Sequence, residues 1–208
     1  MKSSSQASQD IFVLKILNEK RNGTFLEIGS NHPICSNNSY VMETTYGWKG
    51  LMVEYDGNWA PLYDQHRSSK YIINDARNIN YREFLDNNNF PSNIDYLQID
   101  LDVNNRSTLD VLEKLESTVF DKYKFATVTF EHDIYTGNFF DTRAKSREIF
   151  SKAGYVLVFP DVKVDALGNG VYVPFEDWYV HPDLVDMSRV DKVKSKTHHE
   201  IASIMKSI

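Results

Sequence analysis

Carboxylates gather in this chain where apolar runs stop. Thr24-Phe25-Leu26-Glu27-Ile28 leads into Gly29-Ser30-Asn31, and Gly50-Leu51-Met52-Val53-Glu54 into Tyr55-Asp56. Tyr71-Ile72-Ile73 leads into Asn74-Asp75-Ala76, the run from Ile94 into Asp100-Leu101-Asp102, and the run from Phe125 to Phe130 into Glu131-His132-Asp133. Each run reads as a buried strand. In an open parallel sheet ligands bind outside the carboxyl ends of the strands, so these endings outline a site with several acceptors and few cations. A carboxylate at the end of the second strand, Glu54, is placed to accept two ribose hydroxyls. Asp100 follows a nearly uninterrupted buried strand, where a stray carboxylate is costly unless used or paired. Alternate side chains of a strand point to opposite sides. Of Glu131, His132 and Asp133, therefore, either the two acids or the histidine alone can face one pocket.

Phosphate-rich ligands fit poorly. Gly29 stands alone in Gly29-Ser30-Asn31-His32-Pro33, where a dinucleotide fingerprint needs G-x-G-x-x-G, and no G-x-x-x-x-G-K-[ST] occurs. A ribose-bearing, phosphate-free, cationic ligand matches the acidic rim, and S-adenosylmethionine (SAM) is such a ligand. An alcohol acceptor would need its proton removed, work a histidine or carboxylate can do. His132 is the candidate base, oriented by Asp100 or Glu131. A rival version uses a divalent cation, since Asp100, Asp102, Glu131 and Asp133 are oxygen ligands of the hard-cation kind; the metal-free version is preferred because no dedicated ligand motif is present.

The elements that must position these groups alternate regularly. Helices are expected over 9–20, from Ser36 or Asn37 to Tyr46, over 58–68, after an Asn80/Glu83 capping box, after a Ser107/Asp110 capping box, and over 141–153 with Gly154 as the stop. Between them lie the runs above, followed by Tyr155–Phe159 and Tyr172–Val180 as the last strands, joined only by a loop at 161–170. Strand-helix alternation implies a mostly parallel sheet wrapped by helices, and a helix-free connection implies an antiparallel final pair. The expected fold is therefore α/β: a Rossmann-like three-layer sandwich with a mostly parallel seven-stranded sheet and an antiparallel C-terminal strand. That ending is the architecture of class I methyltransferases.

Length and composition agree. The 208 residues suit one domain, divided into an N-terminal helix region (1–22), a sheet core (23–185) and a polar tail (186–208) with a marginal last helix. A net charge of -6 is a poor match for a phosphate backbone, so nucleic acid is disfavoured as a partner against a small molecule or glycan. No run is long and apolar enough to span a membrane. The polar N-terminus and the single Cys35 point to a cytoplasmic, reducing setting. Neither oligomeric state nor the acceptor is encoded in these patterns.

Phe25-Leu26-Glu27-Ile28-Gly29-Ser30-Asn31-His32-Pro33, then Ser36-Asn37-Asn38-Ser39-Tyr40, then Trp48-Lys49-Gly50-Leu51-Met52-Val53-Glu54-Tyr55, resembles the FkbM-type branch of SAM-dependent methyltransferases. The likeness extends through Asn74-Asp75-Ala76 and the strand ending at Asp100, over roughly residues 20–135. It implies O-methylation of a sugar or natural-product hydroxyl. It also implies that Glu27, Gly29 and Asn31, with Ser39 nearby, line the methionine part of SAM. Glu54 would hold the ribose, Asp75 and Ala76 the adenine edge, and Asp100 would face the sulfonium and acceptor. One position departs: the family loop ends in glycine where this chain has Pro33, which fixes φ and donates no hydrogen bond, so the loop must turn differently. The segment after Glu131 and Phe175-Glu176-Asp177-Trp178 match no general pattern. A nucleotide-sugar or NAD-type oxidoreductase, and a SAM-binding module without turnover, are the competing readings.

Overall fold

A computed structural model describes residues 3–165 and 168–194. The element order is α1 (Gln9–Ile16), β1 (Thr24–Ile28), α2 (Tyr40–Tyr46), β2 (Lys49–Glu54), α3 (Ala60–His66), β3 (Lys70–Ile73), α4 (Tyr81–Asn87), β4 (Asn93–Ile99), α5 (Ser107–Thr118), β5 (Lys124–Glu131), α6 (Phe140–Lys152), β6 (Val156–Val164), β7 (Val173–Val180) and α7 (Met187–Val193). The strands form one seven-stranded sheet in the order β3-β2-β1-β4-β5-β7-β6. β3, β2, β1, β4 and β5 are parallel to one another, and β7 runs antiparallel to both β5 and β6. The sequence expectation of a mostly parallel sheet with an antiparallel ending is met.

Side chains leaving the two faces of the sheet build two separate cores. Leu26, Ile28, Leu97, Ile99, Val128 and Phe130 pack with Tyr81 and Leu85 of α4, Leu109, Leu112 and Leu115 of α5, and Ile149 and Phe150 of α6. Phe25, Met52, Tyr96, Phe159 and Trp178 pack with Phe12, Val13 and Leu14 of α1, Met42 of α2 and Tyr63 of α3. Three layers result, because a sheet apolar on both faces must be covered twice. No helix among the described residues is long and apolar enough to cross a membrane.

Several boundaries differ from the sequence expectation for local reasons. The first helix stops at Ile16 because Asn18 and Glu19 both take left-handed φ, 55° and 53°. The third is split into a 3-10 turn at Gly57–Trp59 and α3, which ends when Arg67 turns extended to send its side chain inward. The Asn80/Glu83 box forms, with Asn80 Oδ1 accepting from Glu83 N–H and its amide donating back to Glu83. The Ser107/Asp110 box does not: Ser107 is already helical and its hydroxyl donates to the Asp102 carbonyl. The penultimate strand continues to Val164, through bulged pairings with β7, instead of giving way to a loop at Asp161. Gly154 is the left-handed stop after α6, at φ 87°. His198 and His199, in the polar tail, lie outside the described residues.

Candidate active site at the carboxyl edge of the sheet

β1 and β4 are neighbours, and their endings touch. Gly29 follows β1 at φ 85°, and a Cβ there would stand 1.7 Å from the Asp100 carbonyl oxygen. Only glycine allows this approach and this φ. Asp100 N–H in turn donates to the Ile28 carbonyl. The two loops predicted to face a ligand thus meet at the centre of the edge.

Glu54 is buried at the end of β2. One carboxylate oxygen accepts from Asn31 N–H at 2.6 Å and the other from Asp56 N–H at 2.8 Å. A carboxylate offers about four acceptor positions, so lone pairs remain for hydroxyl donors. Asn31 takes φ 49°, gives its carbonyl to the Tyr63 hydroxyl at 2.7 Å, and leaves its own side chain exposed. The loop accommodates Pro33 by a device of its own. His32 Nδ1 accepts from Ile34 N–H and Cys35 N–H at 3.1 and 3.0 Å, and the ring packs edge-on to Trp59.

Beyond Glu54 a cleft of about 340 Å³ opens over the ends of β2, β3 and β4, lined by Tyr55, Asp75, Ala76, Arg77, Leu101 and Asp102 among others. Tyr55 is 75% exposed, an aromatic face beside an apolar Leu101 wall. Asp75 is gripped by the Arg77 guanidinium, which holds its carboxyl below the usual range. A larger hollow, about 490 Å³, lies at the opposite edge of the sheet around Lys20 and Asp95. There Asp95 is already satisfied by Lys20 and by Thr24 N–H, so it offers a ligand less.

Glu27 and Ser39 are placed differently from Glu54. Glu27 is buried and accepts from the Ser39 hydroxyl at 2.6 Å, Asn38 N–H at 3.1 Å and the Asn37 amide at 3.4 Å. Ser39 accepts from Arg67 at 2.7 Å, and Arg67 also reaches Glu43, Asn37 and the Pro33 carbonyl. Burial pushes the Glu27 carboxyl up, with Arg67 pulling it back. Burial also opposes the Glu43 charge, but Arg67 and donors from Ser68 and Ser69 outweigh it. Glu27 and Ser39 therefore sit behind the loop, in a network that shapes it, while Gly29 and Asn31 form its front.

β4 and β5 are hydrogen-bonded neighbours, so the Glu131-His132-Asp133 ending opens on the same edge as Asp100. The three side chains part company. Glu131 pairs opposite Glu176 of β7. His132 is 0% exposed, with Nε2 3.4 Å from Asp161 and 3.5 Å from Asp177. A ring so placed has no open path to an acceptor. Asp133, at φ 45°, comes within electrostatic reach of Asp100, Asp102 and the Tyr135 hydroxyl, and its Oδ1 is buried with no hydrogen-bond partner. Asp100 is pushed up to about 7, chiefly by burial and next by Asp133. Asp133 is pushed up to about 6, again chiefly by burial, with His132 opposing and Asp102 adding.

These shifts have a thermodynamic consequence. A carboxyl whose folded pKa exceeds its unfolded value binds more protons when folded, so its contribution to stability falls as pH rises. For Asp100 the window runs from about 4 to about 7. An Asp100→Asn chain should therefore gain melting temperature relative to the unmodified protein between pH 5 and pH 8 in the absence of ligand. A constant difference across that range would show that the Asp100 charge is not penalised.

Of the oxygen ligands considered for a metal, no three among Asp100, Asp102, Glu131 and Asp133 converge among the described residues. The group that does converge is His132, Asp161 and Asp177, with ligand atoms within 4.8 Å of one another. Its carboxylates are already taken: Arg147 binds Asp177 through two bonds at 2.7 and 2.8 Å, and Asp161 accepts from Arg143 and Arg147. Two guanidiniums there disfavour a further cation.

While the parting of His132 from its acidic neighbours was expected from strand alternation, sequence reading missed Arg67, Glu43, Tyr55, Arg77 and the Arg147–Asp161–Asp177 cluster. The antiparallel pairing of the Glu131 and Glu176 endings was the one available signal for the last.

No protein-family model matches the chain, and no curated protein matches it in sequence. Solved structures do match. A protein named as an rRNA-methylase from Clostridium thermocellum is 10% identical with a TM-score of 0.53, the match covering 86% of this chain and 99% of that one. TrmN from Thermus thermophilus is 12% identical with a TM-score of 0.50, over 86% of this chain and 50% of that one. Aeropyrum pernix fibrillarin, solved with natively bound S-adenosyl-L-methionine, is 12% identical with a TM-score of 0.52, over 85% and 74%. At such identities the likeness is one of fold: the chain has the Rossmann-like sandwich of the class I SAM-dependent methyltransferases.

Proposed function

We propose that this protein is a SAM-dependent methyltransferase acting on a hydroxyl of a sugar, glycan or small molecule. One observation carries the reading: on a sheet of this order, Glu54, the cleft beside Tyr55 and Ala76, the Gly29 turn and Asp100 stand in sequence along one carboxyl edge. Those residues fit the cofactor. Glu54 keeps free lone pairs for the ribose hydroxyls, Tyr55 and Leu101 offer apolar surface for adenine with Asp75 and Ala76 at its edge, and Gly29 and Asn31 front the methionine end. The unpaired Asp133 oxygen and the crowded Asp100 carboxyl favour a cationic centre between them. When bound, SAM supplies an electrophilic methyl group on sulfur.

The protein's share is alignment and proton removal. Orientation is the larger effect in such in-line displacements. Asp100 sits where the sulfonium and the acceptor would meet. Asp133, with a free oxygen and a pKa near the working range, accepts the hydroxyl proton. This moves the base role expected of His132 to its neighbour, and leaves Glu131 at the β7 side. The net charge of -6 and the carboxylate-rich edge favour an uncharged acceptor over a polyanion. The RNA-directed name of one of the structural matches belongs to that protein. We retain the reading of a cytoplasmic enzyme that folds as one methyltransferase domain.

Calorimetry with SAM, S-adenosylhomocysteine and NAD tests the cofactor. The first two should bind and NAD should not; the reverse pattern would replace a methyltransferase with an oxidoreductase. Glu54→Ala should weaken SAM by about 1.5–3 kcal/mol, some ten- to hundredfold, the size of a lost charge-assisted hydrogen-bond set. Unchanged affinity would place the ribose elsewhere. Methyl transfer from labelled SAM to hydroxylated glycans, set beside RNA, then tests the acceptor class.

A further inference from the structure

His132 and Asp177, both buried, and the partly exposed Asp161 and Arg147 form a charged cluster that the methyl-transfer reading leaves unused. Chain geometry links it to the site. After the last β5–β7 pair, His132 N–H and Asp133 N–H both donate to the Phe175 carbonyl, at 2.8 and 2.9 Å. Asp133 then takes its left-handed φ of 45°, a conformation that aspartate adopts as a single residue more readily than most side chains. The kink throws consecutive side chains apart, His132 into the cluster and Asp133 toward Asp100.

We propose that His132 is a positioning residue: clamped as a cation between Asp161 and Asp177, its ring anchors the kink and sustains the Asp133 carboxylate beside Asp100. The inference rests on the proposed methyl transfer for the use made of Asp133.

The clamp is firmly built. Asp177 is fully buried; besides its two bonds from Arg147 it accepts from Asp161 N–H at 2.7 Å and the Tyr179 hydroxyl at 3.0 Å. Asp161 is held by Arg143 and Arg147 from α6. Two fixed carboxylates therefore stand 3.4 and 3.5 Å from Nε2, at ion-pair distance, and both ring nitrogens are buried without a hydrogen-bond partner. The charged groups around the ring are Asp161 on β6, Asp177 on β7, the two α6 arginines bound to them, and Asp133 beside it in the chain. Burial works against a charged ring, but Asp161 and Asp177 outweigh it. A cation next to it in the chain lowers the cost of ionising Asp133, because an adjacent opposite charge favours the charged form. Without it, Asp133 would be a half-buried acid near Asp100 and Asp102 with no opposing positive charge.

The test reads both groups directly by NMR on the whole protein. Nitrogen-labelled histidine should show His132 protonated on both ring nitrogens at pH 7. Carboxyl-labelled aspartate, with Asp133 assigned through Asp133→Asn, should titrate near pH 6, and in His132→Gln its midpoint should rise by about one unit or more, the effect of removing an adjacent opposite charge. A neutral His132 at pH 7, or an Asp133 midpoint unmoved in a folded His132→Gln chain, overturns the proposal. If that variant does not fold, the unmodified ring decides: doubly protonated supports, neutral overturns. SAM calorimetry on the unmodified protein is the separate arm. Its failure removes the methyltransferase reading while leaving the His132–Asp133 coupling measurable.

Discussion

An Arg67→Met chain is expected to lose about 3–5 kcal/mol of stability, the effect of stripping one partner from a buried ion pair. The Arg67 side chain is 0% exposed and that of Glu43 5%. Removing the guanidinium leaves Glu43 and Glu27 facing each other's network without a cation, and leaves the Pro33 carbonyl and the Asn37 and Ser39 oxygens without its donors. A domain holds only about 5–15 kcal/mol in total, so the urea midpoint should fall far. Lysine should rescue little, because a point charge cannot reproduce a planar fork spread over four partners. SAM affinity, measured under conditions where the variant is still folded, should fall too, since the same network shapes the 30–39 loop behind Gly29 and Asn31. A midpoint within experimental error of the unmodified protein would mean that the cluster is only tolerated.

Asp100→Asn should keep the fold and cut turnover by about a hundredfold or more, the scale of a lost acid–base or orienting group. The substitution preserves shape and removes a charge that nothing in the protein pairs directly: no side chain among the described residues donates to the Asp100 carboxyl, and its neighbours Asp133, Glu27 and Glu54 are acids. Under the proposed function, a positive centre arriving with SAM would offset that charge. The split between parameters is informative. If Asp100 faces the sulfonium and the acceptor, kcat should fall while the KM for SAM changes less, because Glu54 and the Tyr55 cleft are untouched. A normal rate in the Asn chain, measured on any acceptor found, would remove Asp100 from the mechanism.

What the sequence determined by itself is the layer plan and its edge. Buried strands read as continuous apolar runs, because both faces of a parallel sheet are covered. Polar endings must then leave the sheet at its carboxyl edge, and that located Glu54, Asp75, Asp100 and Glu131-His132-Asp133 with no coordinates. The helix-free passage from β6 to β7 showed the antiparallel ending for the same reason: no crossover helix, no parallel pair. Tertiary structure alone decided how each carboxylate is used. Glu27 and Glu54 lie at or next to the ends of adjacent strands, yet one accepts from Asn37, Asn38 and Ser39 within the field of Arg67 and is sealed, while the other accepts from two backbone N–H groups and keeps lone pairs free. Arg67 gives no local sign of its role, since its partners lie 24 to 34 positions away along the chain. His132 and Asp133 are adjacent in sequence yet differ in surroundings, the one facing two carboxylates on β6 and β7 and the other turning away through a left-handed φ. Burial, hydrogen bonding and neighbouring charge set what an acid can do, and all three depend on residues brought from elsewhere in the chain, which periodicity and spacing do not report.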